Sequence, residues 1–280
     1  MSITEALVLG IIQGITEFLP VSSSGHLVLL QSIFGIKEPV LLFNIMVHVG
    51  TLAAVCTVLW KDIWNLLCKI IQPLTLLIII GTIPAVIAAL FIKDLVEQMH
   101  ATTFFLGFAF LITSALLVFS ELFYKNPLSN TNMKETAKTE PALKERSKFN
   151  ALDALVIGIF QAIAITPGIS RSGSTLAAGF FRGLSRDMAV RFSFLLSIPA
   201  ILGALLMELL ELRTQSSSVF GNIGAAPMII GAVSAAIVGF FSVRLMLKIV
   251  RERSLLGFAI YTGILGILVI IDCFGTKIFL

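Results

Sequence analysis

The chain has 280 residues, 57% of them hydrophobic and 13% charged, with a net charge of +4 and a mean hydropathy of +1.00. Soluble domains carry about a quarter charged residues, so this composition excludes a single soluble core and indicates a polytopic membrane protein. The basic surplus fits the lysine and arginine excess of cytoplasmic loops, and no basic stripe with interleaved aromatics points to a nucleic-acid partner.

In chain order, the N-terminus lacks a basic stretch ahead of its apolar run and an evident cleavage site, so it reads as part of the mature protein. The first segment, Glu5 to Phe18, is apolar but short and carries Gln13 and Glu17. Pro20 and Gly25 break it, and only Leu27 to Phe34 follows before Gly35, Lys37 and Pro39. Two half-helices around a polar turn predict a re-entrant hairpin over about 5–34, tolerated at membrane depth only inside protein or beside a polar cavity. Spans follow near 41–60, 74–92 and 102–123, each close to the ~20 residues that cross a bilayer. Residues 125–150 then turn basic and polar, a solvated linker. A second hairpin over about 151–182 and spans near 189–210, 226–246 and 255–274 complete the chain. Cys56, Cys68 and Cys273 are scattered, with no disulfide or thiolate-metal spacing.

The halves are copies. At an offset of 148, Glu5 to Gly25 matches Asp153 to Gly173, including Gly10/Gly158, Gln13/Gln161, Ser22/Ser170, Ser24/Ser172 and Gly25/Gly173. At an offset of 150, Ile79-Ile-Gly81 matches Ile229-Ile-Gly231, and Leu106-Gly-Phe-Ala109 matches Leu256-Gly-Phe-Ala259. If both hairpins are re-entrant, each half crosses three times and the second is inverted. Thirteen basic residues then share one side: Lys61, Lys69, Lys125, Lys134, Lys138, Lys144, Arg146, Lys148, Arg182, Arg186, Lys248, Arg251 and Arg253. Four (Lys37, Lys93, Arg213, Lys277) share the other, whereas full spans in place of the hairpins would split the seventeen ten to seven. The positive-inside rule favours the inverted arrangement. The expected fold is therefore an all-α polytopic membrane protein of two inverted-topology repeats, residues 1–124 and 151–280, each a re-entrant hairpin plus three transmembrane helices. Both termini are expected outside and the 125–150 linker in the cytoplasm.

Two polar clusters stand out at membrane depth. An ionised side chain there costs about 2.5–3.5 kcal/mol on insertion scales, so Glu17 and Arg171 are expected to be paired and functional. Pro167-Gly168 ends one half-helix, and Ser170, Arg171, Ser172 and Thr175 open the next. A helix start with an arginine fork and hydroxyls suits a phosphate group, without the spacing of a nucleotide loop. In the first cluster Gln13 and Glu17 share a helical face, Ser22, Ser23 and Ser24 cap the second half-helix, and His26 lies in its first turn. These residues allow a nucleophile, a proton acceptor and an orienting group. His48, mid-span, is expected to pack or bond to a neighbouring helix, and Gln161 to be a remnant of Gln13. Arg182, Arg186 and Arg191 are read as cytoplasmic anchors.

With Gln13-Gly-Ile-Thr-Glu17, Ser22-Ser-Ser24-Gly25-His26 and Pro167-Gly-Ile-Ser170-Arg171-Ser172-Gly-Ser-Thr175 in hand, the chain closely resembles the bacterial undecaprenyl-diphosphatase family associated with bacitracin resistance. The resemblance spans both halves and the linker. It implies removal of the terminal phosphate of undecaprenyl diphosphate, at a site facing the outer side of the bacterial plasma membrane. It also implies support by a divalent cation, Mg2+ or Ca2+. Gln13 stands where many relatives carry Glu, which leaves Glu17 as the carboxylate for a metal.

On this reading Arg171, Ser170, Ser172 and Thr175 hold the diphosphate together with Gln13, Ser22 and Ser24. His26 or Ser23 attacks, or a metal-activated water does, with Glu17 positioning the nucleophile or taking its proton. The substrate is a polyprenyl diphosphate entering sideways from the bilayer, and a homodimer is compatible with the sequence. Inverted repeats with broken helices also describe secondary transporters, so a carrier or flippase for a phosphorylated lipid or anion is the competing class.

Overall fold

The computed structural model describes residues 1–36, 40–91, 103–124, 149–214 and 224–275, which form eleven helices and no strand among the described residues. In order they are α1 (Ile3–Thr16), α2 (Ser23–Ile33), α3 (Leu41–Val58), α4 (Trp60–Cys68), α5 (Pro73–Phe91), α6 (Thr103–Phe123), α7 (Ala151–Ile163), α8 (Arg171–Phe181), α9 (Arg186–Thr214), α10 (Ala225–Glu252) and α11 (Leu256–Phe274). Six of them, α3, α5, α6, α9, α10 and α11, contain segments long and apolar enough to cross a membrane. The protein is a multi-pass helical membrane protein. The lysine- and arginine-rich stretch 125–148 lies outside the described residues, as do Lys37, Lys93 and Lys277.

The four helices of the two hairpins, α1, α2, α7 and α8, differ from the spans in length and in how they start. α1 and α7 have 14 and 13 residues, about 20 Å at 1.5 Å per residue, against a hydrocarbon core of about 30 Å. Both open with a capping box: Ser2 with Glu5 in α1, and Asn150 with Asp153 in α7. α2 and α8, 11 residues each, are capped by the Ser22 and Ser170 side chains, which accept from the Gly25 and Gly173 N–H groups. These equivalent local structures fall at the offset of 148 seen in the sequence.

Equivalent helices also pack in equivalent ways. α1 lies on α10, and α7 on α5. A Cβ on Gly10 would strike the Gly231 backbone, and one on Gly158 would strike the Gly81 backbone. The repeat-matched glycines are thus the points where each short helix meets a span of the other half. Gly14 faces Ala235 and Gly239 one turn further on, so α1 and α10 run parallel. α6 and α11 cross at Gly107 and Gly266, each of which would meet the other's carbonyl oxygen, at 3.0 and 2.8 Å. α9 touches α3, α5, α8 and α10 and carries Phe194, edge-on to Phe18 with ring centroids 5.6 Å apart.

Leu76, Ile79, Ile83, Val86 and Leu90 on α5, and Ile260, Ile264, Ile267 and Ile271 on α11, are exposed. Helically spaced apolar faces of this kind belong against lipid.

At one end of the bundle the charges pair off. Arg186 on α9 bonds Glu121 on α6 at 2.6 and 3.0 Å, and Glu121 also accepts from the Leu255 N–H ahead of α11 at 2.7 Å. Arg182, just after α8, meets Asp153 on α7 at 2.8 Å. Arg191 reaches Asp62 on α4 at 3.3 Å and Asp187 at 3.1 Å, and Asp187 also pairs with Arg251 on α10. The expected anchors Arg182, Arg186 and Arg191 therefore all hold acids here, and Arg251 and Arg253, assigned above to the same side as Arg182 and Arg186, join their contacts.

One element departs from the sequence expectation. The span expected over 41–60 ends at Val58, and a separate helix, α4, follows. Trp60, Trp64 and Leu67 form an exposed apolar stripe on it, while Asp62 turns to Arg191. That stripe, with tryptophans at the end of a span, matches an interfacial helix.

Candidate active site

The two hairpin turns meet. α1 ends at Thr16, and its C-cap residue is Glu17, which is buried. Arg171, the first residue of α8, donates through Nη2 to Glu17 Oε1 at 3.0 Å and to the Glu17 carbonyl at 3.4 Å. Ser172 donates to the Leu19 carbonyl at 2.9 Å, and the Gly168 N–H donates to Ser24 Oγ at 3.4 Å. Every one of these bonds joins the first half to the second. The pairing expected of deep ionised residues is met by Glu17 and Arg171.

Glu17 is the hub. Its Oε2 accepts from Ser23 Oγ at 2.7 Å and from Gln13 Nε2 at 3.0 Å. His48 Nε2 stands 3.9 Å from the same oxygen, its ring fixed by donation from Nδ1 to the Asn44 carbonyl at 2.7 Å. Ser23 reaches Glu17 because the turn is unusual: Ser22, with φ of 71°, is the one described non-glycine residue in the left-handed region. A strained backbone at a polar centre is a functional signature. On the other hairpin the positive φ falls two residues before the Ser22 counterpart, at Gly168 with φ of 84°, which lies against Leu106 and Ala109, where a Cβ would not fit.

The remaining expected residues separate into two groups. Arg171 has a second fork nitrogen, Nη1, that is buried and makes no hydrogen bond within the protein, and the buried Gln13 Oε1 is likewise unpartnered. These atoms can receive a ligand. The serines and threonine around them are committed to the frame. Ser22 Oγ caps Gly25 N–H at 3.4 Å and lies 3.5 Å from Ser24 Oγ. Ser170 Oγ caps Gly173 N–H at 3.1 Å and lies 3.2 Å from Ser172 Oγ. Thr175 donates to the Arg171 carbonyl at 2.9 Å and shares a 2.6 Å bond with Ser193 on α9. His26 is buried beside the cluster, with Nδ1 2.6 Å from the Ser22 carbonyl and Nε2 2.7 Å from the Tyr261 hydroxyl on α11.

His48, Tyr261, Thr113 and Ser193 complete this constellation; sequence reasoning gave His48 only a packing or helix–helix role and missed the other three. His48 had one usable signal, an ionisable ring in mid-span. Thr113 accepts from the Ser170 N–H at 3.0 Å across 57 residues, and Tyr261 meets His26 across 235. No local pattern announces such contacts. Gln161 is buried with both amide atoms unpartnered, so the second half keeps the residue without the bond that Gln13 makes to Glu17.

No group of three or more His, Cys, Asp or Glu side chains is placed to hold a metal ion among the described residues. The donors present are one carboxylate, Glu17, and the unpartnered Gln13 Oε1. A hard divalent cation that keeps several waters and shares its shell with substrate phosphates needs no more than one or two protein oxygens. The residues fit such an ion.

Fold and site together define a class: a polytopic membrane protein with a buried acid, a hydroxyl on that acid, and half of an arginine fork left for an anion. Comparison with known proteins agrees. The family model described as "Bacitracin resistance protein BacA" matches residues 6–268. Relatives called undecaprenyl-diphosphatase include one from Carboxydothermus hydrogenoformans, 42% identical over 97% of both chains. Others come from Methanosphaera stadtmanae, 38% identical over 97% of this chain and 98% of the relative, and Halothermothrix orenii, 40% identical with the same coverage. The chain belongs to the BacA bacitracin resistance family.

Proposed function

We propose that this chain hydrolyses undecaprenyl diphosphate to undecaprenyl phosphate and inorganic phosphate, returning the lipid carrier to cell-wall polymer synthesis. Full-length similarity to proteins named for that reaction supports it. The observation that carries it at the level of chemistry is Arg171, whose Nη2 is held by Glu17 while Nη1 is buried and unpartnered. A planar fork anchored on one side and open on the other is suited to a phosphoryl oxygen.

The attacking group we infer is Ser23. Its hydroxyl already donates to Glu17 Oε2 at 2.7 Å, the spacing of a nucleophile and its base. As Ser23 Oγ bonds to the terminal phosphorus, its proton passes to Glu17 and the bond to the bridging oxygen breaks. Undecaprenyl phosphate leaves with that oxygen, and Arg171 balances the charge gathering on the phosphoryl oxygens. Glu17 passes that proton to the departing bridging oxygen. Water then attacks the phosphoserine and gives a proton to Glu17, which returns it to Ser23 Oγ as the Ser23–phosphorus bond breaks and inorganic phosphate leaves. Gln13 fixes the Glu17 carboxylate from the side opposite Arg171. A divalent cation held by Glu17, Gln13 Oε1 and the diphosphate would supply further charge neutralisation. Activity that chelation abolishes and Mg2+ or Ca2+ restores supports that part.

We infer further that the halves are inverted repeats whose hairpins enter from opposite faces. Matched capping boxes, reciprocal glycine crossings, tip-to-tip contact and charge pairing at one end support this. The paired end is then cytoplasmic, both termini lie outside the plasma membrane, and the site opens outward.

The test is phosphate release from undecaprenyl diphosphate by purified protein in detergent micelles, where no second compartment exists. Turnover is expected. A folded protein that releases none would leave the carrier class.

A further inference from the structure

His26 makes two side-chain hydrogen bonds, and they decide what its ring can do. Nδ1 lies 2.6 Å from the Ser22 carbonyl, which only accepts, so Nδ1 carries the proton. In the neutral ring Nε2 then holds the lone pair, and the Tyr261 hydroxyl donates to it at 2.7 Å. The two rings are nearly parallel, 12° apart with centroids at 5.7 Å, and Phe110 stands edge-on to the imidazole at 5.5 Å. The nitrogen that would have to attack phosphorus is occupied.

The carbonyl that His26 holds belongs to Ser22, the residue in the left-handed conformation. Such a backbone costs on the order of 1–3 kcal/mol and persists only where the surroundings enforce it. The next residue is Ser23, whose hydroxyl meets Glu17. A continuous chain of contacts therefore runs from Tyr261 through His26 and the Ser22 carbonyl to the hydroxyl on the acid.

The second hairpin provides an internal comparison. By the offsets of the repeat, Ser174 stands where His26 does, Leu111 where Tyr261 does, and Ser170 where Ser22 does. Ser170 has an ordinary φ of −71°, and Ser174 Oγ is buried without a partner. The relaxed turn lacks the brace, and the strained turn has it.

We propose that Tyr261 is a positioning residue of the phosphatase site. Its hydroxyl locks the His26 imidazole as the Nδ1–H tautomer, and the locked ring holds the Ser22 turn that presents Ser23 to Glu17. His26 is then part of this brace and not the attacking group. This rests on Ser23 being the reacting hydroxyl.

The test uses full-length protein in micelles with isotope-labelled histidine, of which the chain has three. Wild-type nitrogen shifts should show His26 protonated at Nδ1 with a hydrogen-bonded Nε2. Tyr261→Phe, which removes one oxygen, should move Nε2 to the value of an unbonded imine nitrogen. It should also lower kcat by about tenfold with KM within about twofold, the loss expected from one hydrogen bond that positions rather than binds. An Nε2–H tautomer in the wild type overturns the proposal without any variant, and so do unchanged shifts with unchanged kcat in Tyr261→Phe. Full turnover by Ser23→Ala overturns the reading beneath it and leaves the His26 signals in place, so the two failures are told apart.

Discussion

Replacing Arg171 with lysine tests the phosphate-holding role without wrecking the fold. Alanine is the wrong probe. It would strand the buried Glu17 carboxylate, and removing one member of a buried pair costs about 3–5 kcal/mol of stability. Lysine keeps the positive charge but has a single nitrogen. In the native site Nη2 serves Glu17 at 3.0 Å while Nη1 stays unpartnered, and a lysine, whose donors all fan from one nitrogen, cannot reproduce that two-sided planar fork. Losing one preorganised donor to a charge-developing oxygen lowers kcat by about 10²–10³, or about 2.7–4 kcal/mol of transition-state stabilisation. The assay is phosphate release from undecaprenyl diphosphate in micelles, with a thermal midpoint measured on the same sample. Arg171→Lys is expected to keep its midpoint and lose at least ~100-fold in kcat. A kcat within about threefold of wild type, which is under 1 kcal/mol, would refute the reasoning.

Three further outcomes follow from the packing and the site. Glu17→Gln keeps a group able to face Gln13, Ser23 and Arg171 but removes the base, and phosphate release should fall by about 10²–10⁴. Gly158→Ala drives a methyl into the Gly81 backbone where α7 crosses α5; overpacking of this kind costs about 1–3 kcal/mol, read as a lower thermal midpoint. Both tryptophans of the chain, Trp60 and Trp64, lie on α4, so its emission reports on that helix alone. Brominated lipids in the bilayer should quench it strongly, and water-like emission without quenching would remove α4 from the interface.

What was legible in the sequence was whatever leaves a local or periodic trace. Gln13 and Glu17, one helical turn apart, do meet at 3.0 Å. The turns that carry Pro20 and Pro167-Gly168 do separate short helices, which end at Thr16 and Ile163, and the serines at 22 and 170 do cap the next ones. The glycines matched between halves became contact points because a short helix can approach a span closely only where neither carries a side chain. Glu17 and Arg171, chosen because isolated charge at that depth is costly, proved to be partners. The misses have physical causes. The apolar run of α3 continues without a breaker into Trp60, so its bend into α4 was hidden, although the spacing of Trp60, Trp64 and Leu67 is helical. His48 could not be assigned because its neighbour, Glu17, lies on a separate hairpin whose depth only packing sets. The expected diphosphate ligands Ser172 and Thr175 bond instead to the Leu19 carbonyl and Ser193. Composition identifies hydroxyls but does not reveal which oxygen they will satisfy.

The central claim is that one hairpin supplies the attacking hydroxyl and the other the arginine that holds the phosphoryl group it attacks. Rapid acid quench of the enzyme with undecaprenyl diphosphate labelled in its terminal phosphate, followed by peptide mapping, tests it most directly. Label on Ser23 within the first turnover, lost in Ser23→Ala and greatly reduced in Arg171→Lys, is the predicted result. Label on His26, or a first-turnover burst of free phosphate with no labelled peptide, would contradict it.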